Sequence, residues 1–195
     1  MTHKFKSENI SRLDNPERRV ILPPKKLLQE LGLKSNDRML DVGAGIGYFS
    51  FPAAEIVGES GKVTAVDTSP EMIKELQARI SNASTNNIET IISKEYSFGV
   101  SENYFDFVLI SLVLHEIEGK LRFIKAAHAA LKKSGTLAII EWIRQPTVED
   151  RNRHDRISKT DAMLIIPQAG FTKITDYDYN NFFYYITAKK MTRYL

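Results

Sequence analysis

Five short apolar runs, at residues 38–42, 62–66, 88–92, 105–111 and 136–142, are interleaved with segments whose apolar residues fall at helical spacing. Most of these runs are apolar without alternation, so both of their faces must be covered. That requires a parallel sheet with helices packed on each side, because parallel strands need long crossovers and helices supply them. A helix is expected at 48–57, and another is capped by Ser69-Pro70-Glu71 with Met72, Ile73, Leu76 and Ile80 on one face. Leu121, Ile124, Ala127 and Leu131 mark a third, and 161–169 a fourth that stops at Gly170. Gly135 is expected to start the fifth strand. The last third reads differently. Strands at 174–177 and 183–188 are separated only by 178–182, too few residues for a crossover, so they pair antiparallel. Ahead of the sheet, Asn15-Pro16-Glu17 caps one short helix, and Pro23-Pro24 opens a second that ends at Gly32.

At 195 residues this is one compact domain, divided here into a helical opening segment, 1–36, and the α/β domain, 37–195. The chain has no cysteine, which excludes disulfide scaffolds, thiolate metal sites and cysteine nucleophiles. No metal-ligand spacing is present either. The longest apolar stretch, around 107–114, cannot span a bilayer, and the first residues lack the apolar core of a secretory signal. A cytoplasmic protein is expected. Net charge is only +3, with the excess in residues 1–38, where nine Lys/Arg face five acids. No dense basic run occurs there, so the segment reads as a solvated helical face, although a basic arm could also hold an anion. The stretch 144–158, polar and charged, is too long for a routine connection and is expected to be a functional lid or a mobile loop.

The chemistry concentrates at Asp41-Val-Gly43-Ala44-Gly45-Ile-Gly47, between the first strand and its helix. This is the carboxyl end of the first strand, where doubly wound sheets bind ligands. Glycines there let the backbone turn sharply and let a ligand approach it. A dinucleotide fingerprint would need glycine at position 48, and that residue is Tyr48. Asp41 would repel a diphosphate and favour an ammonium or sulfonium. Asp67, at the tip of the second strand, can accept both hydroxyls of a ribose. Taken singly, Asp41 could merely satisfy backbone donors and Asp67 merely cap the next helix. Together with the glycine spacing they indicate a nucleoside site.

These residues carry a family resemblance. The segments LDVGAGIGYFS (40–50), AVDTSPEMI (65–73), FDFVLISLVLHEI (105–117) and LKKSGTLAIIEW (131–142) resemble the successive motifs of class I S-adenosylmethionine-dependent methyltransferases. The nearest branch is the UbiE/type 11 small-molecule group. The resemblance implies a Rossmann-like three-layer α/β sandwich with a seven-stranded, mostly parallel sheet whose last strand is antiparallel. It implies S-adenosyl-L-methionine as cofactor and S-adenosyl-L-homocysteine as product. By the same resemblance Gly43, Ala44, Gly45 and Gly47 line the cofactor and Asp41 lies near its amino group. Asp67 holds the ribose, Thr68, Ser69 and Met72 lie by the adenosine, and Ser111 faces the methionine portion. After the third strand the sequence is Ser93-Lys94-Glu95-Tyr96 rather than the family's acid, so the adenine contact falls to Lys94 and Glu95, by side chain or backbone.

Methyl transfer from a sulfonium needs mainly alignment of donor and acceptor. Where the acceptor must lose a proton, the candidate base is His115, just beyond the fourth strand, with Glu116 adjacent; a histidine there could instead bond a nearby backbone group. Glu141 and Trp142 could wall the substrate, or Trp142 could be a core residue. His128 falls on the apolar side of its helix and is expected to pack. His154 with Arg151, Arg153 and Arg156 could recognise an anion or simply be solvated, and His3, Lys4 and Phe5 could form part of a lid. The place where nucleic-acid amino-methyltransferases carry Asn/Asp-Pro-Pro-aromatic reads Ser111-Leu112-Val113-Leu114, which argues against base methylation. The expected partner is a small-molecule acceptor and the expected state a monomer or homodimer. The alternatives are a non-catalytic S-adenosylmethionine-binding module and, against Tyr48 and Asp41, an NAD-dependent oxidoreductase.

Overall fold

The computed structural model describes residues 13–143 and 156–191. His3, Lys4, Phe5, Arg151, Arg153, His154 and most of the charged stretch 144–158 lie outside them. Two short helices, α1 (Pro16–Ile21) and α2 (Pro24–Glu30), precede strand β1 (Arg38–Val42). Then come α3 (Ser50–Val57), β2 (Lys62–Asp67), α4 (Pro70–Ala83), β3 (Ile88–Ile92) and β4 (Phe105–Ser111). A single 3₁₀ turn, Leu114–Glu116, leads to α5 (Lys120–Ala130), β5 (Leu131–Trp142), α6 (Lys159–Gln168), β6 (Phe171–Asp178) and β7 (Phe183–Lys190).

The seven strands form one sheet in the order β3-β2-β1-β4-β5-β7-β6. All pairings among β1 to β5 are parallel, and β7 runs antiparallel to both β5 and β6. Successive residues of the central strands enter opposite cores. Leu40, Val108, Ile110 and Ile139 pack against α5 and α6, through Phe123, Ile124, Ala127 and Ile166. Met39, Phe107, Leu109 and Ala138 pack against α2, α3 and α4, through Leu27, Leu28, Ala53, Val57 and Leu76. The sandwich has three layers, and both sheet faces are dry, as the unbroken apolar runs require.

The differences from expectation have local causes. Helix α3 begins at Ser50 rather than Tyr48 because Gly43, Gly45 and Gly47 all hold positive φ (74°, 54° and 90°), which no helix tolerates. The turn they form is pinned to β2 by the amides of Gly43 and Ala44, both donating to the Val66 carbonyl (2.8 and 3.0 Å). Strand β5 starts four residues before Gly135. Leu131, fully buried, pairs with Phe105, and an irregularity then absorbs 132–135 before Thr136 resumes the ladder opposite Phe107. Strand β6 likewise runs further back than 174, through a bulge at Lys173 (φ 49°) that breaks its alternation.

The sheet order reverses between β1 and β4, and the crevice beyond their carboxyl ends is where such sheets take ligands. Because β7 is antiparallel, its first residue rather than its last reaches that end, and Phe183 stands in register with Trp142.

Candidate functional site

A cavity of about 590 Å³ opens at this crevice. It is bordered by residues from the tips of β1, β2, β4 and β5, the start of β7, the turn after β3, and α1. Of the thirteen residues singled out from sequence, twelve border it: Asp41, Gly43, Ala44, Gly45, Asp67, Thr68, Ser69, Met72, Lys94, Glu95, Ser111 and His115.

Gly47 is the exception. A Cβ built there would come within 2.6 Å of Leu76 and 2.9 Å of Phe51, so this glycine lets α3 and α4 pack closely and faces away from the cavity. The other two glycines differ from it. A side chain on Gly43 would collide with Val113, across the cavity floor, whereas beside Gly45 only Leu13 comes near, at 3.9 Å.

Asp41 and Asp67 perform local roles as well as bordering the cavity. The Gly45 amide donates to one oxygen of Asp67 and the Ser69 amide to the other, both at 2.9 Å, which fixes the carboxylate at the mouth of β2. Asp41 is almost fully buried and accepts a 2.6 Å bond from the Ser50 hydroxyl. Burial pushes its pKa up to about 6, with Asp67 adding to the rise and the Ser50 bond opposing it. After β3, a narrow turn closed by mutual Lys94–Ser97 backbone bonds brings Ser93, Lys94 and Glu95 to the cavity, and the Ser93 amide donates to the Asp67 carbonyl at 2.8 Å.

The other end is built from side chains. His115 Nδ1 lies 2.9 Å from Glu141 Oε2, and the His115 amide donates to Oε1 at 3.2 Å. In the neutral tautomer that donates from Nδ1 to this carboxylate, Nε2 is the basic nitrogen. Nε2 sits 3.8 Å from Glu116 Oε1. Burial acts to lower the His115 pKa, but the Glu141 bond and the charges of Glu141 and Glu116 outweigh it and leave it raised. Glu141 itself is buried and does not border the cavity; it holds the 3₁₀ turn to β5 rather than walling the substrate. Trp142 does border it, its ring 4.4 Å from that of Phe183, with the Arg156 guanidinium 5.3 Å from its centre. Leu112, Val113, Ile117, Phe98 and Phe123 complete an apolar wall. His128, by contrast, packs edge-on against Phe171 at 4.9 Å.

Several bordering residues were not read as site residues in the sequence, Arg18 and Tyr48 among them. Arg18, assigned to a solvated face, has its guanidinium 4.3 Å from the centre of the Tyr48 ring, and Tyr48 donates to the Leu22 carbonyl at 2.7 Å. The six-residue α1 is too short for periodicity to reveal which side it turns inward.

Among the residues bordering the cavity, five acids (Glu17, Asp41, Asp67, Glu95, Glu116) face two bases (Arg18, Lys94). This surplus suits a cationic nucleoside and opposes a diphosphate. The Ser111 hydroxyl is the one buried side-chain polar atom among the described residues without a partner, and it borders the cavity beside Gly43 and Asp41. A polar group so buried takes its partner from what occupies the cavity, a ligand or an ordered water. The residues present therefore fit S-adenosylmethionine.

Fold and site together define a doubly wound nucleoside-binding domain whose crevice continues into an apolar chamber. Comparison with known proteins narrows this further. The methyltransferase domain family matches residues 33–182. The chain is 27% identical over 124 residues to a demethylmenaquinone methyltransferase of Listeria monocytogenes, covering 64% of this chain and 52% of that protein. It is 26% identical over 119 residues to the ubiquinone/menaquinone biosynthesis C-methyltransferase UbiE of Francisella philomiragia, covering 60% and 48%. The chain thus spans about half the length of the curated relatives it matches. A solved S-adenosylmethionine-dependent methyltransferase from Aquifex aeolicus superposes with a TM-score of 0.90 at 28% identity, over 96% of this chain and 100% of that one. The chain belongs to the methyltransferase domain family, with the class I fold of the Aquifex aeolicus S-adenosylmethionine-dependent enzyme, and it is similar to methyltransferases of the UbiE type. Among the described residues, no helix is long and apolar enough to cross a membrane.

Proposed function

We propose that the protein transfers the methyl group of S-adenosylmethionine to a small, largely apolar acceptor, with His115 as general base. The observation that carries this reading is the continuity of one cavity from the acid-rich glycine turn to the apolar chamber that His115, Trp142 and Phe183 border. When bound, S-adenosylmethionine supplies an electrophilic methyl on a sulfonium. Gly43, Ala44 and Gly45 would give the backbone floor, Asp41 the partner of the amino group, and Asp67 the partner of the ribose. Thr68, Ser69, Met72, Lys94 and Glu95 would surround the adenine, and Ser111 would take a polar group of the methionine portion.

Alignment dominates such a displacement, and the apolar wall excludes water that would compete for the methyl. His115 Nε2 would take the acceptor's proton while Glu141, fixed at Nδ1, steadies the imidazolium that forms. A base so placed contributes about 10²–10⁴-fold. Residues 1–36 would cover the nucleoside end and 37–195 supply the catalytic domain. A quinol-like or other small-molecule acceptor fits the names of the curated relatives, and the proposal places the protein in the cytoplasm as a monomer or homodimer.

The test is calorimetric titration with S-adenosylmethionine, S-adenosylhomocysteine and NAD, followed by acceptor screening with a labelled methyl donor. Binding of both sulfur nucleosides without NAD is expected. Binding of NAD alone would sink the proposal, and nucleoside binding with no turnover across a broad phenol, amine and quinol panel would favour a binding module.

A further inference from the structure

We infer that Leu112 sets the size limit of the acceptor chamber: its side chain is the wall that decides how large an apolar acceptor can lie beside Trp142. The inference rests on the reading of that chamber as the acceptor site and adds to it a residue that determines specificity.

Side chains of β4 alternate between the two faces of the sheet. Val108 and Ile110 enter the core beneath α5 and α6, whereas Phe107 and Leu109 enter the opposite one. Continued alternation would send Leu112 after Val108 and Ile110. It packs instead against the opposite core, as Trp142 does. The cause is its backbone: φ at Leu112 is 56°, in the left-handed region, so the chain kinks one residue after the strand ends. The Leu112 amide fixes the kink by donating to the Ile140 carbonyl at 2.9 Å, two residues before Trp142 on β5. Three consecutive residues, Ser111, Leu112 and Val113, thereby border one cavity, which a straight strand does not allow.

Leucine is an ill-suited residue for such a kink. The left-handed conformation crowds Cβ against the following carbonyl oxygen, and glycine or asparagine adopts it far more readily. The other described non-glycine residues with positive φ are Asn36, Ser84, Asn103, Ser134 and Lys173, all polar and none bordering the cavity. Among the described residues, Leu112 is the one apolar side chain held this way, and it stands at the site. Backbone strain of this kind clusters at functional positions, where the surrounding structure over-determines it. Core packing does not account for it. Leu112 is only half-buried, while Leu114, two residues on, is fully buried and fills the α5–α6 side.

Trp142 and Phe183 stand in register on β5 and β7, their rings 4.4 Å apart, on the side of the sheet to which the kink turns Leu112. His115 follows three residues after Leu112 and borders the same cavity. An acceptor that gives its proton to His115 is therefore bounded by the residue at 112, and an isobutyl group there fills space that a larger ring system would need. In an apolar pocket one methylene changes discrimination by about 10–200-fold, so shortening this side chain is enough to reorder acceptors by size.

The experiment uses Trp142, the single tryptophan, as reporter of the chamber. Phenol and 1-naphthol are each titrated calorimetrically into wild type, Leu112→Ala and Leu112→Gly, all loaded with S-adenosylhomocysteine. The indole N–H resonance is followed by NMR in parallel, and melting curves are recorded for the three proteins. The ratio of 1-naphthol to phenol affinity should rise at least tenfold in both variants, with the indole resonance shifting on binding. Either variant carries this ratio should the other not fold. Leu112→Gly should melt no lower than Leu112→Ala, because it also releases the left-handed strain, whereas at an ordinary position glycine is the less stable of the two. A ratio that keeps its wild-type value, or moves toward phenol, would overturn the size limit. A glycine variant melting well below the alanine variant would overturn the strain at Leu112, and the inference with it. Absence of any indole shift with either compound in all three proteins would instead remove the chamber reading on which the inference depends.

Discussion

The two ends of the cavity are made by different means. At the β1–β2 end the surface is mostly main chain: Gly43 and Gly45 with positive φ, amides that tie the turn to Val66 and Asp67, and two strand-tip aspartates. At the β4–β5–β7 end it is side chains from elements far apart in sequence: His115 on Glu141, Trp142 on Phe183, Arg156 over Trp142. Main-chain surfaces are nearly blind to substitution at neighbouring positions, so one nucleoside end can be retained while the chamber is recut. This division suits a fold that hosts many acceptors on one cofactor.

The two ends should separate most sharply at His115. His115→Ala should lower turnover by about 10²–10⁴-fold while leaving S-adenosylhomocysteine affinity intact, measured by labelled methyl transfer and by calorimetry. A parallel loss of affinity would mean that the two ends are not separable. Glu141→Gln removes the charge that holds the His115 pKa up, so the acid limb of the pH–rate profile should move to lower pH. A limb that stays in place would assign the titration to another group.

The next largest contrast lies within the glycine turn. Gly47→Ala should destabilise the fold twice over, by about 1–2 kcal/mol for the left-handed backbone and by about 1–3 kcal/mol for overpacking against Leu76 and Phe51. Gly45→Ala incurs only the backbone cost, and its loss should show instead in nucleoside binding. Chemical denaturation and titration of the pair separate the two roles, and equal stabilities would refute the assignment of Gly47 to packing.

The smallest effect is expected at Asp41. Its carboxyl is pushed from 3.8 to about 6 in the folded protein, so the native state holds the proton more tightly than the unfolded chain. Stability therefore falls as pH rises from about 4 to about 6, and the full cost persists above that. Asp41→Asn should raise the apo-protein's stability at pH 7.5 by on the order of 1–3 kcal/mol and leave it nearly unchanged at pH 4. Wild-type affinity for S-adenosylhomocysteine should climb about tenfold per pH unit below 6 and then level, whereas the variant's profile should be flat. A variant that is less stable at pH 7.5 would show that the Ser50–Asp41 bond outweighs the burial of the charge.

What the sequence determined by itself was local. Strands β1, β3 and β4 begin and end where their apolar runs do, Ser69 caps α4 as its hydroxyl and the following proline require, and the short 178–182 link forces an antiparallel hairpin. That Asp41, Gly43, Gly45 and Asp67 border one cavity was legible because the glycine and acid spacing around one turn brings them together. Tertiary structure decided the rest. Gly47 looks like its neighbours in the chain, but its direction is set by Leu76 on another helix. Arg18 sits on a helix too short to show a face, and it enters the cavity only because Tyr48 folds beneath it. The histidine–glutamate pair joins residues 26 apart, brought together because parallel β4 and β5 lie side by side with their carboxyl ends aligned. Backbone conformation follows from neighbours along the chain, whereas a side-chain site depends on where the sheet places its strands.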